Sequence, residues 1–140
     1  MIPARRGVVF FVGFAPRRGI PGFAHACAAR AAVENLASTL ALEWSRYGIR
    51  SIYLAVGSVA SEGLEQYGAE HAERMAGLIP LHRLGTPLDV ALPIAFLASP
   101  AGAYVTGASI AIDGGLDAWG RGEAPPPLAE DTPSQEEEQG

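Results

Sequence analysis

One stretch of the chain, from Pro21 to Arg50, limits the possible folds more than any other. Pro21-Gly22 marks its start and Gly48 its end, and the residues between them include no Pro or Gly but many Ala, Leu, Glu and Arg. These residues are good helix formers, and a glycine just past the last turn is a common helix stop. The stretch therefore predicts one long helix.

The two faces of this predicted helix differ in side-chain size. One face carries large apolar residues at spacings of three and four, namely Val33, Leu36, Leu40 and Trp44. The other carries small residues, namely Ala28, Ala31, Ala32, Ser38 and Ala41. The apolar stripe indicates packing against a sheet, and the small face would let a second helix approach closely. An ordinary core helix explains the same pattern without any function.

Short apolar runs flank the predicted helix. Gly7 to Gly13 (GVVFFVG) and Arg50 to Val56 (RSIYLAV) are continuous rather than alternating, which is typical of strands buried on both faces of a parallel sheet. Strand, helix and strand in this order predict a right-handed crossover between parallel strands. Ala108 to Ile112 predicts a third strand.

A second helix is predicted to start at Thr86-Pro87-Leu88-Asp89. A capping Thr, a Pro at the first helical position and an acid three residues on are typical of a helix N-terminus. The helix is expected to run to about Ala98, with Pro93 inside it. Residues 58–78 contain several glycines and predict only short helical pieces.

Charge divides the chain into a neutral body and an acidic tail. Residues 1–120 hold nine Arg and nine acidic residues, so the net charge of -5 comes from residues 121–140. This Pro- and acid-rich tail is predicted to be disordered, which leaves one domain over residues 1–120. The neutral body lacks the basic surface of a nucleic-acid-binding protein, and no run approaches the ~20 apolar residues of a membrane span.

The basic and metal-ligating residues exclude further classes of mechanism. All ten basic residues are Arg, which excludes any mechanism that needs a lysine amine. A single cysteine, Cys27, cannot form an internal disulfide and favours the cytoplasm. A secretion signal at Arg5-Arg6 is the alternative, but the apolar run after it is short. No metal site is predicted, because no metal-ligand spacing links His25, His71 and His82.

Three segments in combination resemble the C-terminal half of a short-chain dehydrogenase/reductase. They are PGFAHACAARAAVENLASTLALEWSRYGIRS, AVGSVASEG and IPLHRLGTPLDVALPIAFLASPAGAYVTGASIAIDGG, within a resemblance that covers residues 7 to about 120. GIPGFAHACAARAAVENL is most similar to the branch of trans-2-enoyl-CoA reductases and citronellol dehydrogenases. The resemblance implies an α/β fold, a partial Rossmann-like doubly wound parallel sheet with the last three strands and their helices. The glycine-rich phosphate loop of the N-terminal dinucleotide-binding half is not in the sequence.

The resemblance also implies a catalytic set. In the family, Ser, Tyr and Lys act around the nicotinamide of NADP or NAD: Tyr transfers a proton, Lys holds the ribose and lowers the pKa of Tyr, and Ser orients the substrate carbonyl. These positions fall on Gly13, Ala26 and Arg30, so only Arg30 keeps a functional group. A second Tyr–Lys pair proposed for some enoyl reductases falls on Glu34 and Ser38. The alternative is that Arg30 and Glu34 form only a helical ion pair.

Cofactor binding is implied for the loop after the second strand. Gly57, Val59 and Ser61 match positions that hold the nicotinamide and pyrophosphate, while Val56 stands where Pro is usual. An ordinary strand-to-helix turn is the open alternative.

The resemblance thus implies a truncated NAD(P)(H)-dependent oxidoreductase of enoyl thioesters or of alcohols and ketones. No hydride transfer is expected from the lone chain, and a non-catalytic oligomerisation module is the alternative. The strand from Gly7 to Gly13 would lie at an apolar edge with no protecting charge or Pro, which predicts a homo-oligomer or an edge-covering partner.

Overall fold

The computed structural model describes residues 1–14, 20–61 and 68–119. Its elements in chain order are β1 (Gly7–Gly13), α1 (Ala24–Ser45), β2 (Ile49–Val56), α2 (Ala69–Gly77), α3 (Pro87–Ala98), a 3-10 turn (Pro100–Gly102), β3 (Ser109–Ile112) and α4 (Leu116–Trp119). The three predicted strands and both predicted long helices are confirmed. The predicted acidic tail, residues 121–140, lies outside the described residues.

The three strands form one parallel sheet in the order β1-β2-β3. β2 is the central strand and is buried along most of its length, because α1 covers one face of the sheet and α3 the other. On the α3 side, Ile52 and Leu54 of β2 pack with Leu97. Helices on both faces confirm the predicted doubly wound arrangement.

The face that α1 turns to the sheet differs from the predicted apolar stripe. Ala37 and Ala41 are buried there, with Val33 partly buried, whereas Leu36 is 45 % exposed. The reason is that Tyr53 of β2 fills the space under the helix, so small residues are needed opposite it. The prediction was therefore right for Val33 and wrong for Leu36. The small residues at positions 28, 31, 32 and 38 are exposed.

Local geometry confirms the predicted end of α1 and the predicted start of α3. After α1, Gly48 has a φ of 67°, and the main-chain oxygen of Arg5 lies where a Cβ would be, so glycine is required. Before α3, the Thr86 hydroxyl accepts the N–H of Asp89 at 3.2 Å, and the Asp89 carboxylate accepts the N–H of Thr86 at 2.7 Å. None of the helices in the described part of the chain is both long and apolar enough to cross a bilayer.

β1 forms one edge of the sheet. It pairs with β2 from Gly7 to Gly13, and no other described strand pairs with its outer side. Its residues are only half-buried, and Val12 is 56 % exposed. The predicted position of β1 beside β2, with an apolar outer edge, is confirmed for the described residues.

Candidate functional site

The structure brings two of the three matched catalytic positions together at the C-terminal end of β1. Gly13 is the last residue of this strand, and Arg30 lies in the second turn of α1. A Cβ on Gly13 would lie 2.9 Å from Cδ of Arg30. Ala26 lies one turn before Arg30 on the same helix and is half-buried, with no polar group to offer.

A functional group that was not predicted from the sequence lies at the same point. Tyr53 of β2 is 1 % exposed, and its hydroxyl donates to the main-chain oxygen of Phe14 at 2.8 Å. A Cβ on Gly13 would contact this hydroxyl. Tyr53 pairs with Phe11, two residues before Gly13, and its long side chain reaches to the end of β1. The sequence signal that could have indicated this group is a tyrosine inside a buried aliphatic strand, because a buried tyrosine hydroxyl needs a hydrogen-bond partner.

Two charged residues of α1 act on the Tyr53 hydroxyl. Burial raises the pKa of Tyr53 above its ordinary value of 10.0, and the nearby Glu34 carboxylate raises that pKa further. The Arg30 guanidinium lowers the pKa of Tyr53, but its effect is smaller. Tyr53 therefore stays protonated at neutral pH and serves as a hydrogen-bond donor. Position 26, where the family has its tyrosine, is an alanine here. The charge of Arg30 instead lowers the pKa of a tyrosine from β2, Tyr53.

Arg30 is exposed, and its guanidinium lies over the ring of Phe14, with Cζ 5.8 Å from the ring centroid. Within the described ranges, no side chain or main-chain group forms a hydrogen bond or an ion pair with Arg30. The alternative of a helical ion pair with Glu34 is thus not found among the described residues. Among the described residues, none therefore takes up the five N–H donors of the guanidinium.

The loop after β2 also presents unused hydrogen-bonding groups. Ala60 N–H donates to Gly85 O at 2.8 Å, and Gly85 N–H donates to Ser58 O at 2.9 Å. In such a parallel bridge the N–H and C=O of Val59 point away from Gly85. Neither has a partner in residues 1–14, 20–61 and 68–119. Ser61 is exposed.

Close packing fixes the start of this loop. A Cβ on Gly57 would lie 2.7 Å from Cα of Asp113, so the loop can approach β3 only without a side chain at this position. The loop lies at the C-terminal ends of the strands, where open parallel sheets bind ligands. The N–H and C=O of Val59 complement a carboxamide, which carries one acceptor oxygen and an NH₂ donor.

A cavity of about 450 Å³ lies between this loop, the start of α3 and the end of β3. Its polar lining includes Ser58, Asp113 and a bidentate ion pair between Arg83 and Asp89. In this pair, Nη1 of Arg83 lies 2.8 Å from Oδ2 of Asp89, and Nη2 lies 3.1 Å from Oδ1. Hydrogen bonds from Arg83 and then from Thr86 hold the pKa of Asp89 well below its ordinary value. No three His, Cys, Asp or Glu side chains cluster as metal ligands in the described part of the chain.

Comparison with known proteins identifies the family. The family model described as enoyl-(acyl carrier protein) reductase matches residues 2–117. The chain belongs to the short-chain dehydrogenase/reductase family. It is 40 % identical over 100 residues to the peroxisomal 2,4-dienoyl-CoA reductase of Saccharomyces cerevisiae, covering 70 % of this chain and 34 % of that protein. It is 38 % identical over 125 residues to the inactive 2-(S)-hydroxypropyl-CoM dehydrogenase 2 of Xanthobacter autotrophicus, covering 84 % of this chain and 54 % of that protein.

A solved structure of the same family, ElxO with NADP bound, superposes with a TM-score of 0.77 at 28 % identity, over 84 % of this chain and 49 % of that chain. The chain thus spans between about a third and just over half of these relatives. These comparisons confirm the predicted Rossmann-like fold and the predicted family. They also confirm that the chain is related to the enoyl-CoA reductase branch of that family. NAD(P) is confirmed as a cofactor of the family. The roles assigned to Arg30, Gly57, Val59 and Ser61 stay predictions.

Proposed function

We propose that this chain is part of an NAD(P)(H)-dependent oxidoreductase of enoyl thioesters or of alcohols and ketones, and that these 140 residues alone do not transfer hydride. The observation that carries the second statement is that Gly13, at the end of β1, and Ala26, on α1, offer no functional group. The nearby Tyr53 is buried and already bonded to Phe14. The 2-(S)-hydroxypropyl-CoM dehydrogenase 2 of Xanthobacter autotrophicus, a relative named as inactive, supports the idea that a protein of this family can lack activity.

The residues at the end of the sheet fit one end of a nicotinamide cofactor. The main-chain groups of Val59 complement its carboxamide, the guanidinium of Arg30 suits ribose hydroxyls, and the Ser61 hydroxyl suits a phosphate oxygen. When bound, the cofactor supplies or accepts the hydride. The sequence contains no G-x-G-x-x-G motif, whose glycines open the helix that holds the pyrophosphate in this fold.

A turnover assay tests this proposal. The purified chain is mixed with NADPH or NADH and crotonyl-CoA, an enoyl thioester, and cofactor oxidation is followed by absorbance. We expect no oxidation above the rate without protein. The control is Arg46→Ala, which removes an exposed Arg over an aromatic ring at the far end of α1. Turnover that survives Arg46→Ala and is abolished by Arg30→Ala would contradict the proposed inactivity.

A second candidate function is a non-catalytic oligomerisation module. Three large apolar side chains of α3, spaced by four residues, are exposed to between 55 and 65 %, namely Leu88, Leu92 and Phe96. A contiguous apolar stripe of this kind is typical of a protein interface. Together with the outer edge of β1, with which no described strand pairs, it favours a homo-oligomer or a partner that covers these surfaces.

Size-exclusion chromatography with light scattering tests the second candidate. We expect an oligomer, and we expect Leu92→Glu to shift it toward smaller species because it places a charge in the middle of the stripe. Tyr104→Glu is the matched control, because Tyr104 is fully exposed outside this stripe, just after the 3-10 turn. A wild-type monomer of 14.6 kDa would contradict the module.

A further inference from the structure

Side chains from two different elements converge on one point beside Gly13. The hydroxyl of Tyr53, from β2, and Cδ of Arg30, from α1, each lie under 3.0 Å from the position that a Cβ on Gly13 would take. The Tyr53 hydroxyl oxygen and Cδ of Arg30 are therefore under 6 Å apart, since their separation cannot exceed the sum of their distances to that Cβ position. A hydroxyl and a guanidinium-bearing side chain thus share the space that a serine at position 13 would need.

We propose that Tyr53 of β2 and Arg30 of α1 form a pair at this site, in which the buried Tyr53 hydroxyl positions the Arg30 guanidinium through Phe14. This inference rests on the proposed function. Tyr53 is a positioning residue, because its 1 % exposure leaves no room for direct ligand contact.

The contacts show how Tyr53 acts. Its hydroxyl donates to the main-chain oxygen of Phe14 at 2.8 Å and so fixes the residue that follows β1. The ring of Phe14 in turn lies beneath the Arg30 guanidinium at 5.8 Å. A cation held over an aromatic face loses part of its conformational freedom before a ligand arrives. The chain of contacts from Tyr53 through Phe14 therefore orients Arg30 toward the oxygens of a ligand.

The pair depends on the absence of a side chain at position 13. A Cβ there would contact the Tyr53 hydroxyl and would also lie 2.9 Å from Tyr53 Cζ. The small residue on β1 and the large residue on β2 are thus complementary in shape. The charged groups that act on the hydroxyl, Arg30 and Glu34, both come from α1, and β1 contributes none.

The test measures ionisation of Tyr53 in the 140-residue chain. Ultraviolet titration of tyrosinate is compared between the wild type and Tyr53→Phe, and the difference isolates Tyr53. We expect Arg30→Ala to move this titration to higher pH, because the charge that favours tyrosinate is lost. Arg30→Lys, which keeps the charge, should bring the titration back toward the wild-type position. Coincident curves for Arg30→Ala and the wild type would overturn the proposal.

A second measurement at neutral pH does not require the fold to withstand alkali. The Nε–Hε resonance of Arg30 is recorded by NMR in the wild type and in Tyr53→Phe. We expect Tyr53→Phe to shift it, because Phe14 is no longer held beneath the guanidinium. Tyr104→Phe is the control, since Tyr104 is fully exposed and should leave the resonance in place. An unchanged resonance in Tyr53→Phe would overturn the proposal.

The failure of one proposal can be distinguished from the failure of the other. Turnover by the chain would contradict the proposed inactivity, yet it would leave both Tyr53 measurements as they are. Loss of coupling between Tyr53 and Arg30 would remove the pair, yet it would leave the absence of turnover as it is.

Discussion

Restoring the family serine at position 13 should destabilise the fold. A Ser side chain there starts with a Cβ that contacts the Tyr53 hydroxyl and lies 2.9 Å from Arg30 Cδ. Arg30 can move away because it is exposed, whereas Tyr53 is buried and bonded to Phe14. Overpacking of a core typically costs about 1–3 kcal/mol, and loss of the Tyr53 hydrogen bond adds about 1 kcal/mol. Replacing a strand glycine returns about 0.5–1 kcal/mol.

For Gly13→Ser, we therefore expect the free energy of unfolding to fall by about 2 kcal/mol. Urea unfolding, followed by tryptophan fluorescence at a fixed protein concentration, should show a midpoint lower by about 1 M. The penalty should shrink in a Tyr53→Phe background, because the nearest atom is then absent. Gly77→Ser is the matched control, since nothing lies within 4 Å of a Cβ on Gly77. A midpoint for Gly13→Ser equal to that of the wild type would refute the reasoning.

Three further outcomes are expected. Thr86→Ala should lower the free energy of unfolding by about 0.5–2 kcal/mol in thermal unfolding, because the hydroxyl that caps α3 is lost, and an unchanged Tm would contradict this. The pKa of Asp89 is lower in the folded state than its ordinary value of 3.8. The ionised carboxylate therefore stabilises the fold above pH 3.8, and this stabilisation is lost as the pH falls toward the lower folded-state pKa. Asp89→Asn should remove this part of the acid dependence of the free energy of unfolding, measured by urea unfolding. Gly57→Ala should cost about 1–3 kcal/mol, because its Cβ would meet the main chain of Asp113, and a thermal unfolding curve like that of the wild type would argue against such close packing.

The sequence predicted those elements whose signals are local. β1 and β2 follow from continuous apolar runs, α1 from a long stretch without Pro or Gly, and the start of α3 from its capping residues. Each signal lies within the element it predicts. For that reason the order of elements followed from the sequence, while the doubly wound layers were implied by the family resemblance.

The candidate site was less predictable, because it depends on contacts between elements. Periodicity placed Leu36 in the core, but the size of Tyr53 on the sheet decides which residues of α1 can approach. The contact between the Tyr53 hydroxyl and the end of β1 depends on strand register and side-chain length together. No spacing along the sequence links Tyr53 to Arg30. Only the structure brings them together.

Cofactor affinity tests the central claim most directly, namely that these 140 residues hold only the nicotinamide end of the site. NADPH and NADH are titrated into the purified chain, and binding is followed by fluorescence. The account predicts a Kd no tighter than millimolar, because Val59 and Arg30 offer a few hydrogen bonds while the sequence has no G-x-G-x-x-G motif for the pyrophosphate. A micromolar Kd for either nucleotide would contradict it.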